Sequence, residues 1–472
     1  MTMLQPVLRG RTRSLWLQEA LAAEPLAEMV EPLTGQIRAD VCIVGGGYCG
    51  MWTALRIKSI DPSVDVVILE ADICGAGASG RTGGFVSDWW MKLSHYIQLC
   101  GLEEGLRLAR ASQAAIDAIG AFCERHGIDA HFVHKGTIAA ATAPSHVGAL
   151  DHAVALCEAH GVDVFQRLTP ADVAQRTGSR IHLGGVYERT GATVQPALLA
   201  RGMRRVALAQ GIRIYEQSPV SYVDRKNPPV VNTDRGRVVA DVVVLAINAW
   251  AAALPELRRA MLPMASDMIA TEPMPERLAA IGWTGGESIA DGNLMVDYYR
   301  TTRDGRIAFG KGGLTHAYLG RISVGFEASD GRSRKTEEAF HRAYPSLANV
   351  PITHRWTGPI DRTENNTLIF GTLDGAPAIH YGVGFSGSGV GQSWVGGHFL
   401  ASRALGLHDE WTASPLTRGP WSLFPPDPIR FFGGIAVRAA VHQRELDLYA
   451  GRAPSAPVAA LADLAPSGMK KE

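Results

Sequence analysis

Apolar positions along the chain change their period several times, and each change marks an element. Val41 to Val44 is a short unbroken apolar run, Met51 to Lys58 repeats with helical spacing, and Val64 to Leu69 is a second run, VDVVIL. That succession predicts one strand–helix–strand unit. From Leu102 to about His160 the pattern is helical and Ala-rich, and Gly191 to Gln210 reads as a loop feeding a helix. Strands are predicted at Ile212–Tyr215, Val230–Thr233 and Val238–Ala246, the last apolar enough to be buried on both faces. Beyond Pro263, strands over 266–271, 294–300 and 307–310 precede helices over 336–343, 395–405 and 427–448. Residues 1–38 predict a loose leader with one short helical piece. The Ala/Pro-rich end from Pro454 predicts disorder.

A chain of 472 residues exceeds one ordinary core and predicts two or three lobes. Lys plus Arg and Asp plus Glu both total 46, which offers no electrostatic case for nucleic acid or an anionic membrane. Cys42, Cys49, Cys74, Cys100, Cys123 and Cys157 make no CxxC pair, so buried thiols in a reducing compartment are expected. The first residues hold no apolar stretch typical of a secretory signal. No run approaches the roughly 18 apolar residues of a membrane span. A cytoplasmic protein is the expectation, with the oligomeric state left open.

Three glycine clusters break the hydrophobic pattern where chemistry needs close backbone approach. In Val41-Cys-Ile-Val-Gly-Gly-Gly-Tyr-Cys-Gly50, Gly45, Gly47 and Gly50 satisfy GxGxxG. The first glycine makes the turn, the second admits a pyrophosphate and the third lets helix and strand pack. The helix that follows aims its amides and positive dipole end at the phosphates. Glu70 ends the second strand 20 residues past Gly50, placed for ribose hydroxyls. The second cluster, Gly75-Ala-Gly-Ala-Ser-Gly-Arg-Thr-Gly-Gly84, carries Ser79 and Arg81, both suited to phosphate. The third, Tyr381-Gly-Val-Gly-Phe-Ser-Gly-Ser-Gly-Val-Gly391, precedes a helical pattern and predicts amides presented to a ring oxygen. A long bent ligand such as FAD accounts for all three clusters. An NAD-linked dehydrogenase accounts for the first alone and stays as the alternative.

Taken together these segments resemble FAD-dependent oxidoreductases of the D-amino-acid oxidase superfamily, in particular the γ-glutamylputrescine oxidase-like branch. VCIVGGGYCGMWTALRIK and VVILEADICGAGASGRTGGFVSDWW carry the likeness, with GATVQP at 191–196 and ADVVVLAINAW at 240–250. WTGPID at 356–361, GFSGSGVG and FPPDPIR at 424–430 complete it. The resemblance implies an α/β fold: a discontinuous Rossmann-like FAD lobe (39–95, 180–255 and 355–450) and a substrate lobe on a mixed β-sheet (96–179 and 256–354). It implies hydride transfer to FAD from a carbon beside an amine nitrogen, followed by imine hydrolysis. O2 is the expected acceptor. A dehydrogenase using another acceptor, or a non-catalytic flavin subunit, remain alternatives.

By the same resemblance, Gly45, Gly46, Gly47, Tyr48, Cys49 and Gly50 meet the pyrophosphate, and Glu70 with Ala71 meets the adenosine ribose. Gly77, Ala78, Ser79, Gly80, Arg81, Thr82, Gly83, Gly84 and Phe85 follow the pyrophosphate and flavin. Val220 flanks the adenine, Ala246 and Trp250 lie beside the cofactor, and Gly387, Ser388, Gly389, Val390 and Gly391 face the pyrimidine edge. The chain departs from the branch pattern at Thr82, at Ser388 and at Asn365-Asn366, which leaves the branch's substrate open. The second cluster has no His of the kind that carries covalent flavin in relatives, so FAD is expected to be non-covalent.

Flavin chemistry asks the protein mainly to orient the amine and keep it neutral. Tyr298, Arg300 and Lys311 are the candidates for this work. Arg300 has the fork geometry to clamp a substrate carboxylate, and Lys311 near the flavin would stabilise developing superoxide. Trp89 and Trp90 are equally consistent with a cap on the site and with core packing, and His316 with a structural role. Neither a metal constellation nor a nucleophile elbow is present in the sequence pattern.

Overall fold

The expected strand–helix–strand unit is present as strand Gly35–Val44, helix Tyr48–Ile60 and strand Val66–Leu69. The structure is a computed structural model that describes residues 2–5, 13–24, 30–326 and 329–466. Val41 sits opposite Val66 on one side and Val242 on the other, in parallel register. Strand Arg213–Tyr215 extends this sheet beyond Val66–Leu69, and Ala376–Val383 lies parallel to the end of Gly236–Leu245. The run Val41–Val44 is fully buried, as a parallel strand covered on both faces must be. With an antiparallel ribbon over 220–233 and the hairpin strand Ile369–Leu373, the sheet has nine strands.

A second sheet of eight strands is mixed, running in space Ile352–Thr363, Met261–Thr271, Ile307–His316, Asp297–Thr301, Ser288–Asp291, Thr137–Ala140, Gly185–Glu188 and Phe165–Leu168. Its own apolar core holds Ile269, Ile289, Tyr299, Phe309 and Phe340. The two-lobed α/β architecture is therefore as expected, with different seams. Gly185–Glu188 and the whole of Ile352–Thr363 pair within the second sheet rather than the cofactor sheet. The long helix Leu102–Arg125 does the reverse. Its buried face, with Leu108, Ile116 and Ile119, belongs to the core under Val41 and Ile43.

Three local expectations are corrected. Thr137–Ala140 is a strand inside the stretch expected to be helical, because two neighbouring strands hydrogen-bond it on both sides. The described part of the leader is not loose. Helix Leu15–Ala23, capped by the Ser14 side chain, buries Trp16 edge-on against Trp356 at 5.8 Å. The tail past Pro454 forms helix Ala456–Ala462, whose Ala462 packs with Ala440 and Val441 of helix Ile429–Tyr449. Ala462 and Ala465 are buried where the composition predicts disorder. Residues 467–472 lie outside the described part.

Candidate active site

The first glycine turn is shaped by contacts that no side chain can share. Gly45 has φ 112°, and a Cβ there would stand 2.4 Å from the carbonyl oxygen of Ala246. A Cβ on Gly50 would stand 2.0 Å from the carbonyl oxygen of Gly45. The Gly45 amide donates to Leu69 at 2.9 Å, which pins the turn to the neighbouring strand. The second cluster folds over it: the Gly75 amide donates to Gly46 at 3.1 Å, and the Tyr48 amide donates to Ser79 Oγ at 2.9 Å.

These turns line one end of a cavity of about 580 Å³ running between the two sheets. Of the expected cofactor residues, Gly45, Gly47, Tyr48, Cys49, Glu70, Ala71 and Gly77 form its wall. Ala78, Ser79, Arg81, Thr82, Gly83, Phe85, Val220, Ala246, Trp250 and Gly387 to Val390 continue it. Gly46, Gly50, Gly80, Gly84 and Gly391 stand one layer behind. There they permit close packing; a Cβ on Gly80 would lie 2.3 Å from the Gly75 oxygen, and one on Gly84 2.1 Å from the Val194 oxygen.

Glu70 accepts from the amides of Gly46 (2.8 Å) and Asp72 (2.9 Å). Burial pushes its carboxyl up to about 7, against the pull of those two amides. Along the same wall the Trp250 Nε1 and Asn248 Oδ1 atoms are buried without a partner. The third glycine loop is held by Asp361, which the motif reading passed over. Its carboxylate accepts from the amides of Gly384 (2.7 Å), Phe385 (3.1 Å) and Ser386 (3.1 Å). Burial lifts it to about 6 while those amides act to hold it ionised. The loop then enters helix Gly389–Ala404, whose first residues face the cavity. A cradle that any Cβ would fill, a carboxylate at the end of the second strand and unpaired polar atoms along the wall fit FAD. Among the described residues no group of three His, Cys, Asp or Glu is placed to hold a metal.

The three candidate catalytic residues separate. Tyr298 reaches the cavity; its hydroxyl is 2.7 Å from Ser266 Oγ, and its ring stands edge-on to Phe85 at 5.8 Å. Burial raises its phenol, which stays neutral. Arg300 and Lys311 do not line the cavity, which corrects both expectations. Arg300 shares a strand face with Tyr298, but its guanidinium lies against the Trp16 ring at 5.2 Å, where the leader helix covers it. Lys311 lies opposite Asp297 on the adjoining strand, on the other face, and pairs with it. Trp89 and Trp90 are core residues: Trp89 stacks on Tyr96 at 4.7 Å, and Trp90 Nε1 donates to Gln113 at 2.6 Å. His316 is structural, bonded to the Phe431 carbonyl at 3.0 Å and next to Arg438.

Cations reach the cavity from elsewhere. Lys92 and Arg362 both line it. Burial and then the charge of Arg362 push the Lys92 amine down to about 8. Burial pushes Arg362 down to about 10, with Glu364 acting in opposition. Arg362 donates one hydrogen bond, from Nη1 to Asn366 Oδ1 at 3.2 Å, while its Nε and Nη2 have no partner. Asn366 is one of the positions where the chain departs from its branch pattern. Nothing in the local sequence around Lys92 sets it apart from a surface lysine.

A family model described as FAD dependent oxidoreductase matches residues 40–403. The chain belongs to this family. It is 32% identical over 387 residues to a probable oxidoreductase OrdL of Haemophilus influenzae, covering 79% of this chain and 85% of the relative. It is 30% identical to the gamma-glutamylputrescine oxidoreductase of Escherichia coli, over 81% of this chain and 87% of that one. Glycine oxidase from Geobacillus kaustophilus superposes with TM-score 0.67 over 82% of this chain and 99% of that structure, at 21% identity. The protein is an FAD-dependent oxidoreductase, and the NAD alternative drops out. No helix among the described residues is long and apolar enough to cross a membrane.

Proposed function

We propose that this oxidoreductase oxidises an amine or amino acid at the carbon next to nitrogen, with O2 as the electron acceptor. The reading is carried by the continuity of one cavity from the Glu70 end to Tyr298, Lys92 and Arg362. Bound FAD supplies the hydride acceptor, and the imine left on the substrate hydrolyses to a carbonyl compound and an amine or ammonia.

Glu70 and the glycine turns hold the cofactor's ribose and pyrophosphate without covalent attachment. The Gly387–Val390 segment, in the loop braced by Asp361, would hold the flavin end of the cofactor with its backbone amides and would favour negative charge on the reduced ring. Tyr298 and Phe85 form an aromatic wall that keeps water from the reacting carbon. Lys92 and Arg362 take the place expected of Arg300 as the clamp for a substrate carboxylate. The relative named for gamma-glutamylputrescine supports the amine-oxidation reading, and the six free cysteines support a reducing cytoplasm.

The test is an anaerobic visible spectrum of the purified protein before and after a panel of amines and amino acids. Bleaching of the flavin band by one of them, with peroxide released on admitting air, is the expected result. A yellow protein bleached by none of the panel overturns amine oxidation and leaves FAD binding standing.

A further inference from the structure

One wall of the cavity is held from outside by the C-terminal part of the chain. Strands Ser288–Asp291 and Asp297–Thr301 are antiparallel neighbours, and residues 291–297 form the turn that joins them. Asn293, Leu294 and Val296 of this turn line the cavity, just ahead of Tyr298. Met295, between them, does not. Its side chain is 3% exposed and packs with Leu314, with Ala440 and Val441 of helix Ile429–Tyr449, and with Ala462 and Ala465 beyond. Its backbone is gripped at both polar atoms. The amide donates to Glu445 Oε1 at 2.8 Å, and the carbonyl accepts from Lys311 Nζ at 2.9 Å. Asn293 is tied to the same helix, since its Nδ2 donates to the Tyr449 hydroxyl as well as to Asp291.

Glu445 and Tyr449 are four residues apart, so one face of helix Ile429–Tyr449 carries both contacts. Arg342 stands over the Tyr449 ring at 4.3 Å and donates to Asp297 at 2.9 Å, which closes the frame at the far end of the turn. Burial pushes the Glu445 carboxyl up to about 7, with the Lys311 charge and the Met295 amide acting the other way. A carboxylate is costly to bury, and apolar packing alone would fasten this helix. Among the described residues the single hydrogen bond of Glu445 goes to the Met295 amide. That bond has a required distance and angle, which apolar packing lacks. It therefore fixes where the turn stands, and with it the two side chains that flank Met295 in the cavity wall.

We propose that Glu445 and Tyr449 are positioning residues for the substrate. From outside the cavity they set where Asn293, Leu294 and Val296 stand, and so the shape of the wall that meets the substrate. Neither lines the cavity itself; both act through the turn. The inference rests on the amine-oxidation reading in taking that wall as the substrate side.

The experiment uses the FAD-loaded full chain, with benzoate as the probe. Hydrogen exchange read by mass spectrometry reports on the turn, and perturbation of the flavin band without oxygen reports on benzoate binding. Glu445→Ala is expected to speed exchange over 291–297 at least ~10-fold, as loss of a hydrogen bond to a charged group should, with exchange over Gly45–Gly50 unchanged. The same variant is expected to bind benzoate at least ~10-fold more weakly while its ratio of flavin to protein stays that of the unmodified enzyme. Glu445→Gln keeps an acceptor for the Met295 amide and is expected to restore most of both. Tyr449→Phe is expected to weaken benzoate about 3-fold, and to have no effect once Asn293→Ala is present, because its contact runs through Asn293. Unchanged exchange over 291–297 in Glu445→Ala overturns the inference. So does faster exchange with unaltered benzoate affinity, or a Tyr449→Phe effect that persists beside Asn293→Ala. If Glu445→Ala loses its flavin, Glu445→Gln and Tyr449→Phe carry the same test. If benzoate fails to bind the unmodified enzyme, the carboxylate clamp falls, and exchange over 291–297 alone decides the positioning role.

Discussion

Lys311 Nζ donates to Asp297 Oδ1 at 2.7 Å, directly across the strand pair, and Arg342 holds the other oxygen of the same carboxylate at 2.9 Å. A lysine in a glycine-flanked strand next to a flavin site invites an oxygen-activating role, yet this one is committed to a buried ion network. Burial opposes its charge, but Asp297, Glu445 and Asp291 outweigh that and raise its pKa.

Lys311→Met is therefore expected to cost stability, not oxygen chemistry. Removing one partner of a buried pair costs roughly 3–5 kcal/mol, and the remaining Arg342 contact places the loss near the lower end. Thermal melts and the rate of flavin reoxidation by oxygen check this together. A collapse of the reoxidation rate with an unchanged melting temperature would return Lys311 to the flavin. Because its folded pKa is raised, the pair's stabilisation is complete below pH ~10.5 and is lost as pH climbs through the folded value.

Gly50→Ala tests the turn itself. Its Cβ would meet the Gly45 carbonyl at 2.0 Å, and that atom is backbone, so it cannot move aside as a side chain can. The variant is expected to emerge from gel filtration colourless, read from the ratio of flavin to protein absorbance. A yellow Gly50→Ala protein contradicts the placement of the pyrophosphate.

Glu70→Ala removes the proposed ribose acceptor and also frees the amides of Gly46 and Asp72. Hydrogen bonds to charged groups are worth roughly 1.5–3 kcal/mol. FAD is therefore expected to bind ~10- to 100-fold more weakly, measured by titrating the apoprotein and following flavin fluorescence. Glu70→Gln, which retains one acceptor oxygen, is expected to fall between. In the unmodified protein, acid precipitation is expected to release all the FAD, as a non-covalent cofactor must.

Lys92 gives the carboxylate clamp a pH dependence. Its amine is pushed down to about 8, first by burial and then by Arg362. It is a cation below that pH and neutral above it. Affinity for a simple carboxylate inhibitor such as benzoate is expected to drop as pH rises through ~8, and Lys92→Met to flatten that profile. A depressed lysine has the opposite linkage to Lys311. Between pH ~8 and ~10.5 the unfolded chain binds the extra proton, so this group's contribution to stability rises with pH across that window.

Local pattern was enough to place the glycine turn and the carboxylate beside it. Glycines, a carboxylate at a strand end and a helix start are a contiguous signature, and Gly45, Gly50 and Glu70 stand where the spacing puts them. The same reasoning failed for Arg300. Strand alternation correctly places it on the face of Tyr298, but helix Leu15–Ala23, almost 300 residues earlier in the chain, covers that end with Trp16. It failed for Lys311 because its partner is set by the register of two strands, which no single segment encodes. Thr137–Ala140 was missed for a related reason: a run of only four residues, half of it alanine, is made a strand by neighbours on either side.

The amino-acid sequence by itself determined the family, the cofactor and the turn that binds it, since each depends on backbone geometry within a few residues of a glycine. Only the tertiary structure decided which charged side chains line the same cavity as the glycine turns. Lys92 follows the second glycine cluster, Glu188 closes a strand of the other sheet, and Arg362 sits late in the chain beside Asp361. The charged wall of the cavity is built from side chains that converge in space from distant segments. The charge each one carries there is set by burial and by neighbours that sequence spacing does not reveal.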